Sequence, residues 1–142
     1  MTYRLTIMPI NRFSSYYTGY YSKLKEYRKV LPAILPVSIS LYPLRNPPKD
    51  MVNLECARPT PELLRGYQQG TISEAQYREQ YMKLLDANAH NIVAMLYMYA
   101  SLYPHHIVMF LCYESPDKFC HRHIFAEWLR ANLCKSCSEI DI

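Results

Sequence analysis

Cys112, Glu114, Cys120, His121 and Arg122 fall close together in the chain, and between them they carry the groups needed for thiol chemistry or anion recognition. A thiolate is a nucleophile, and a neighbouring His or carboxylate can carry its proton. An arginine offers a fork of donors that fits phosphate or carboxylate. The segment spells Leu111-Cys112-Tyr113-Glu114, then Ser115-Pro116-Asp117-Lys118-Phe119, then Cys120-His121-Arg122. That order reads as a strand end, a turn and a helix start. Cys120 then sits at or near the N-cap, where backbone N–H groups lack partners and the helix dipole is positive. Such a position favours a thiolate and can equally hold an anion. Arg122 in the first turn adds a forked donor, and Glu114 is placed to hold His121 or Arg122. A Cys before a helix is also commonly a small buried hydrophobe. His and Arg at a helix start are disfavoured by the dipole, so capping does not account for them.

The elements that must position these residues follow from hydrophobic pattern. Ile107 to Tyr113 is continuously apolar, as a central parallel strand buried on both faces would be. Phe125, Trp128 and Leu129 mark the inward face of a helix from His121 to about Leu133. Upstream, Leu5 to Ile10 reads as a first strand, weakened by Pro9. Tyr17, Tyr20, Leu24 and Tyr27 stand at helical spacing and predict a short helix to about Val30, with Pro32 and Pro36 beyond its end. Ile34 to Leu41 reads as a second strand. Pro43, Pro47 and Pro48 exclude a helix from the next segment. Thr60-Pro61-Glu62 is a helix start, with an end near Gly70. Ser73 and Gln76 form a capping box that opens a helical run from Tyr77 to Tyr99, with a break near Asp86-Ala87-Asn88 and a stop at Pro104. Ser138 to Ile142 reads as a last short strand. Strands joined through helices predict an α/β fold: a single compact domain with a small, mostly parallel sheet flanked by helices. In such sheets ligands bind beyond the carboxyl ends of the strands, which is where the Cys-Glu…Cys-His-Arg cluster falls.

Composition narrows the function classes. The 142 residues fit one domain, and half of them are apolar, enough for a core without disulfide staples. No apolar run is long enough to span a membrane, and the start lacks a secretory h-region, so a cytoplasmic protein with no membrane partner is expected. Reduced thiols are the corresponding expectation for the five cysteines. Cys134 and Cys137 form a C-x-x-C that could join Cys120, His121 or His123 around zinc, but it lacks the glycine common in zinc knuckles and reads more simply as two incidental thiols at a helix end. No metal and no cofactor are expected. The net charge of +4 suits an anionic ligand without demanding one. The 14 tyrosines supply flat rings with polar tips, useful against nucleobases, although most should be half-buried helix-face residues. The three glycines are scattered, so no phosphate loop exists.

The run FLCYESPDKFCHRHIFAEWL resembles the signature of a widespread bacterial and phage family, domain of unknown function 488: a hydrophobic strand, Leu-Cys, a Glu, a short turn, then Cys-His-Arg and an amphipathic helix. Leu111, Cys112, Glu114, Cys120, His121 and Arg122 carry it here. The likeness extends more weakly to Ser15-Tyr16-Tyr17, to the strand ending at Ser40, and to Thr60-Pro61-Glu62-Leu63-Leu64. It implies a compact α/β domain in which the two cysteines matter for function. Many members carry Asp-Val-Arg at the end of the second strand. Ser38-Ile39-Ser40 stands there in this chain, and Arg45 could at most replace the missing charge. The resemblance supplies a site and not a substrate.

Three function classes fit. The first is a module binding a nucleotide or other phosphorylated small molecule through Ser15, Tyr16, Tyr17, Ser40, Arg45, Cys112, Tyr113, Glu114, Cys120, His121 and Arg122. A phage-borne version would sequester a nucleotide signal of host immunity, binding without turnover. The second is an enzyme with Cys120 as nucleophile and His121 or Glu114 as proton carrier. The third, a nucleic-acid-associated protein, has the tyrosines and mild charge but no basic stripe. Assembly into a homo-oligomer is compatible with all three.

Overall fold

A computed structural model describes residues 16–31, 33–113, 119–133 and 137–140. Five strands form one all-parallel sheet: β1 Tyr16–Tyr20, β2 Ile34–Ser38, β3 Val52–Asn53, β4 Ile107–Cys112 and β5 Cys137–Glu139, in the order β3-β2-β4-β1-β5. The helices are α1 Leu24–Val30, α2 Pro61–Gln68, α3 Glu74–Ala87, α4 Ala89–Leu102 and α5 His121–Asn132. The α/β fold with a parallel sheet is the one expected. β4 is central, paired with β2 through Ile34↔Ile107 to Ser38↔Leu111 and with β1 through Tyr17↔Met109 to Tyr20↔Cys112.

Alternation along the strands sends side chains to two layers. Leu35, Val37, Phe110 and Tyr16 face the larger core, built with Tyr81, Leu85, Ile92, Leu96, Phe125 and Trp128 from the helices. Trp128 is fully buried and donates its indole N–H to Asp86 at 2.9 Å. Ile34, Met109 and Leu111 face a smaller core closed by Tyr21, Leu24 and Tyr27. Both faces of β4 are covered, which is why its sequence is apolar without alternation. Pro36 is tolerated inside β2 for a backbone reason. Ile39 N–H bonds to Leu111 on the β4 side, while Ser38 C=O accepts from Leu54 on the other. Alternation turns Pro36 toward the β3 edge, where pairing begins only at Val37↔Val52, so its missing N–H leaves no ladder bond unmade.

Helix starts are spelled as expected. Thr60 accepts from Leu63 N–H at 3.1 Å, with Pro61 at the first position, and Ser73 and Gln76 make a complete capping box. The break falls at Asn88, the residue between α3 and α4, whose side-chain amide donates to Cys56 C=O at 2.9 Å and ties that junction to the segment before α2. Gly70 ends the α2 turn at φ +77°, a conformation that favours glycine.

Three expectations need correction. Tyr16–Tyr20 is a strand, and the helix begins only at Leu24 after a single 3-10 turn at Tyr21–Lys23. The tyrosine spacing suggested a helix, but the aromatic run has high strand propensity and β4 offers it a partner, so pairing wins. The second strand ends at Ser38 rather than Leu41. The last begins at Cys137 and ends at Glu139, with Ile140 still donating its N–H to Thr18 C=O. The two-residue strand β3 was not foreseen; two residues carry no periodicity. Leu5 to Ile10 lies outside the described residues. No helix among the described residues is long and apolar enough to cross a membrane.

Candidate functional site

The end of β4 lies beside the start of α5, at the carboxyl end of the sheet. Cys120 is the N-cap residue, its extended backbone letting Sγ accept from Arg122 N–H at 3.5 Å. That geometry sets Cys120 beside Cys112, close enough that each sulfur acts on the ionisation of the other. Cys56, Cys112, Cys120 and Cys137 stand as thiols rather than disulfides.

His121 is buried and anchored on β2's extension. Its Nε2 lies 2.7 Å from Ile39 O. A carbonyl only accepts, so Nε2 carries the proton and Nδ1 presents a lone pair, 3.9 Å from Cys120 Sγ. Burial lowers the His121 pKa to about 4, against the opposing pull of the Ile39 carbonyl and with help from Arg122 and His123. The ring is therefore neutral near pH 7 and a weak base.

Arg122 turns inward. It is fully buried, and its guanidinium grips Glu139 of β5 in a fork: Nε to Oε1 at 3.0 Å and Nη2 to Oε2 at 2.9 Å. Thr18 Oγ1 of β1 donates to the same Oε1 at 2.6 Å. The remaining Nη1 donates to Cys112 Sγ at 3.0 Å. Burial works against the Arg122 charge, but the negative surroundings of Cys112, Cys120 and Glu139 outweigh it and hold its pKa above the ordinary value. The Cys120 thiol is pushed up, first by its hydrogen bond to Cys112, then by burial and by charge on Cys112.

Cys112, Cys120 and His121 line one end of a cleft of about 270 Å³, near the lower bound for small-molecule sites. Ser40, Leu41 and Tyr42 enter from the loop after β2. Leu64, Tyr67 and Gln68 come from α2 and Tyr77 from α3, with Pro59, Tyr113 and Phe119 between. The wall is aromatic: Phe119 packs on Tyr67 and Tyr77 at ring distances of 4.6 and 5.2 Å. Ser40 is fixed by Tyr21, whose Oη lies 2.6 Å from both Ser38 and Ser40 Oγ, and it donates to Tyr42 C=O at 2.7 Å. This hydroxyl cluster is built on Ser38 and Ser40, at the end of the second strand.

Of the residues expected to bind a ligand, Ser40, Cys112, Tyr113, Cys120 and His121 line the cleft. Four do not. Tyr16 is packed against Phe110 in the core, because β1 runs beneath α5. Tyr17 points to the opposite face of the sheet, toward the smaller core. Arg45 is exposed on the loop after β2, and Arg122 faces Glu139 and Cys112 instead of the cleft. Ser15, Glu114 and Cys134 lie outside the described residues. Tyr42, Tyr67, Tyr77 and Phe119, along with Thr18 and Glu139, were not singled out from sequence. Helical spacing marks Tyr77 equally well as core, and nothing local connects Glu139 to Arg122. Among the described residues no group of three His, Cys, Asp or Glu side chains is arranged to hold a metal ion.

A thiol pair at a strand-turn-helix junction, in an all-parallel α/β sheet, defines the class of domain to which this chain belongs. The profile of the DUF488-N3a family, described as the active DUF488-N3 subclade, matches residues 37–133, and the chain is a member of the DUF488 family. No curated protein and no solved structure matches the chain.

Proposed function

We propose that this protein binds a flat, uncharged ring system, of which a nucleobase or nucleoside is the chemical type, and acts on it with the Cys112–Cys120 thiol pair. One observation carries the reading: two neighbouring thiols, one of them in contact with a guanidinium, line an aromatic cleft. Tyr67, Tyr77 and Phe119 suit stacking against a planar ring. The described lining includes no Lys, Arg, Asp or Glu, and His121 is neutral. A cleft so lined offers little to an isolated phosphate. The phosphate of a nucleotide would therefore extend toward solvent rather than sit on the sulfurs. The description of the matching subclade as active favours turnover over simple binding. In a nucleophilic step the thiolate adds to an electrophilic carbon of the ring, the π pair of the C=C or C=N bond moves to the neighbouring ring atom, and that atom takes up the proton the thiol gave up. His121 Nδ1 accepts a hydrogen bond nearby, but its low basicity leaves thiol ionisation to another group.

Calorimetric titration with nucleobases, nucleosides and their 5′-phosphates, beside inorganic phosphate, tests the binding half. Ring-bearing ligands should bind and inorganic phosphate should not; the reverse order would sink the reading. Mass spectrometry of the same mixtures tests turnover, with Cys112→Ser and Cys120→Ser retaining binding and losing nearly all conversion. A ligand bound tightly by the parent but returned unchanged would replace catalysis with sequestration, the role suited to a phage counter-defence protein.

A further inference from the structure

The inward turn of Arg122 is unexplained by ligand binding, and it has a chemical consequence for the sulfur it touches. We infer that Glu139, held by Thr18 across the β1–β5 pairing, positions the Arg122 guanidinium on Cys112 Sγ and thereby makes Cys112, rather than Cys120, the ionised and nucleophilic thiol of the pair.

The geometry is directional. The carboxylate of Glu139 takes Nε and Nη2 together, and Thr18 Oγ1 pins the carboxylate in turn. With two of its edges committed, the planar guanidinium has Nη1 aimed at one sulfur, 3.0 Å away. Tyr20 adds a ring 6.0 Å from the guanidinium carbon, and His123 Nε2 lies 3.5 Å from Nη2. Among the described residues Cys120 meets no such donor from a side chain. It receives a longer bond from the Arg122 backbone N–H at 3.5 Å, and with Cys112 ionised its S–H is free to donate to that sulfur. Ionised Cys112 would thus accept from Arg122 and from Cys120 with its charge in direct contact with the guanidinium, while ionised Cys120 would meet that guanidinium only across a neutral Cys112, which donates its S–H to Cys120. The other titratable groups near Cys112 do not supply a positive charge. Tyr21 lies on the smaller-core side and Tyr77 and Tyr81 on α3; burial pushes all three phenols up, so they stay neutral. His121 is also neutral. Arg122 is a cation in direct contact with Cys112, and Glu139 moderates it.

In the proposed reaction the catalytic group is Cys112, while Arg122 and Glu139 are positioning residues acting through it. This use rests on the thiol reading of the cleft, but the ionisation itself can be read without any substrate. The test is single-hit alkylation by iodoacetamide across pH 5 to 10, with peptide mapping to follow Cys112 and Cys120 separately. In the parent, Cys112 should react first, with a midpoint below the roughly 8.5 of an ordinary thiol. Arg122→Met with Glu139→Gln removes both charges and retains a neutral pair of similar size, so the fold should survive. Its Cys112 midpoint should rise and its rate at pH 7 fall about tenfold or more. Glu139→Ala should bring the Cys112:Cys120 ratio toward one, because the guanidinium loses its aim, whereas Glu139→Gln, with an acceptor oxygen still facing Nε, should keep Cys112 ahead. A residue serving only the fold would not move that ratio. The inference is overturned if Cys120 reacts first in the parent, if the double variant keeps the parent midpoint, or if Glu139→Ala leaves the ratio unchanged. A Cys112-first pattern in a protein that binds no ring-bearing ligand would uphold the inference and sink the proposed function instead.

Discussion

His121 is a buried imidazole kept neutral, and its ionisation is tied to the folded state. Its pKa is about 4 when folded and should be near 6.5 when unfolded. Protons therefore bind the unfolded chain more readily, and stability from this group is complete above about pH 6.5 and lost as pH falls toward 4. The span corresponds to about 3 kcal/mol. His121→Gln keeps an N–H for Ile39 C=O and cannot titrate. Urea unfolding at pH 7, 5.5 and 4 should therefore show the parent losing stability faster than the variant by about that amount. Parallel loss in the two proteins would mean that His121 is not the acid-sensitive group. At this scale the sequence was informative wherever contacts are local. Cys112, Cys120 and His121 meet because a strand end and a helix start only a few residues apart in the chain lie side by side, and the order of residues reveals that. Arg122 was legible as important but not in its direction. Its partner Glu139 stands on a strand whose pairing with β1 no local pattern announces.

Among the elements, β1 and α1 meet unusually closely, and Gly19 makes that possible. A Cβ on Gly19 would lie 2.6 Å from the Tyr27 ring. That ring cannot readily move: Tyr27 is buried, its Oη accepts from Tyr20 N–H at 3.3 Å, and it packs edge-on against the Tyr20 ring. Gly19→Ala should cost about 1–3 kcal/mol, the usual range for overpacking. Combining it with Tyr27→Leu should cost less than the sum of the two single changes, since the smaller side chain removes the clash. Additive costs in denaturant titration would show that the glycine serves some purpose other than this approach. The same pair explains why the sequence misled on this segment. Leu24 and Tyr27 do share a helix face, as their spacing predicted. Tyr17 and Tyr20 continue that spacing by coincidence while belonging to a strand, where the available partner β4 decides the conformation. Capped helices α2 and α3 and the apolar strand β4 were legible because their signals are contained within each element.

For the molecule as a whole, the Arg122–Glu139 pair fastens α5 to the far edge of the sheet. The ion pair runs from a fully buried guanidinium to a carboxylate with 21% of its side chain exposed. Its third member, Thr18, sits on β1, so one cluster joins the helix start that carries Cys120 and His121 to β1 and to β5, which among the described strands pairs with β1 alone. Pairs of this kind contribute little net stability when removed together, because desolvation offsets attraction, but removing one member strands the other charge. Arg122→Met alone should therefore destabilise by about 3 kcal/mol, the lower end for a buried pair because Glu139 retains some contact with water. Arg122→Met combined with Glu139→Gln should recover most of that loss, since no unpaired charge is left and the volumes are nearly kept. Urea unfolding of the parent, the two single variants and the double variant closes the cycle. A double variant as unstable as Arg122→Met would mean that the cluster is held for the strength of its bonds. Recovery of stability with loss of Cys112 reactivity would mean that a buried charge is retained in this fold for what it does to a sulfur.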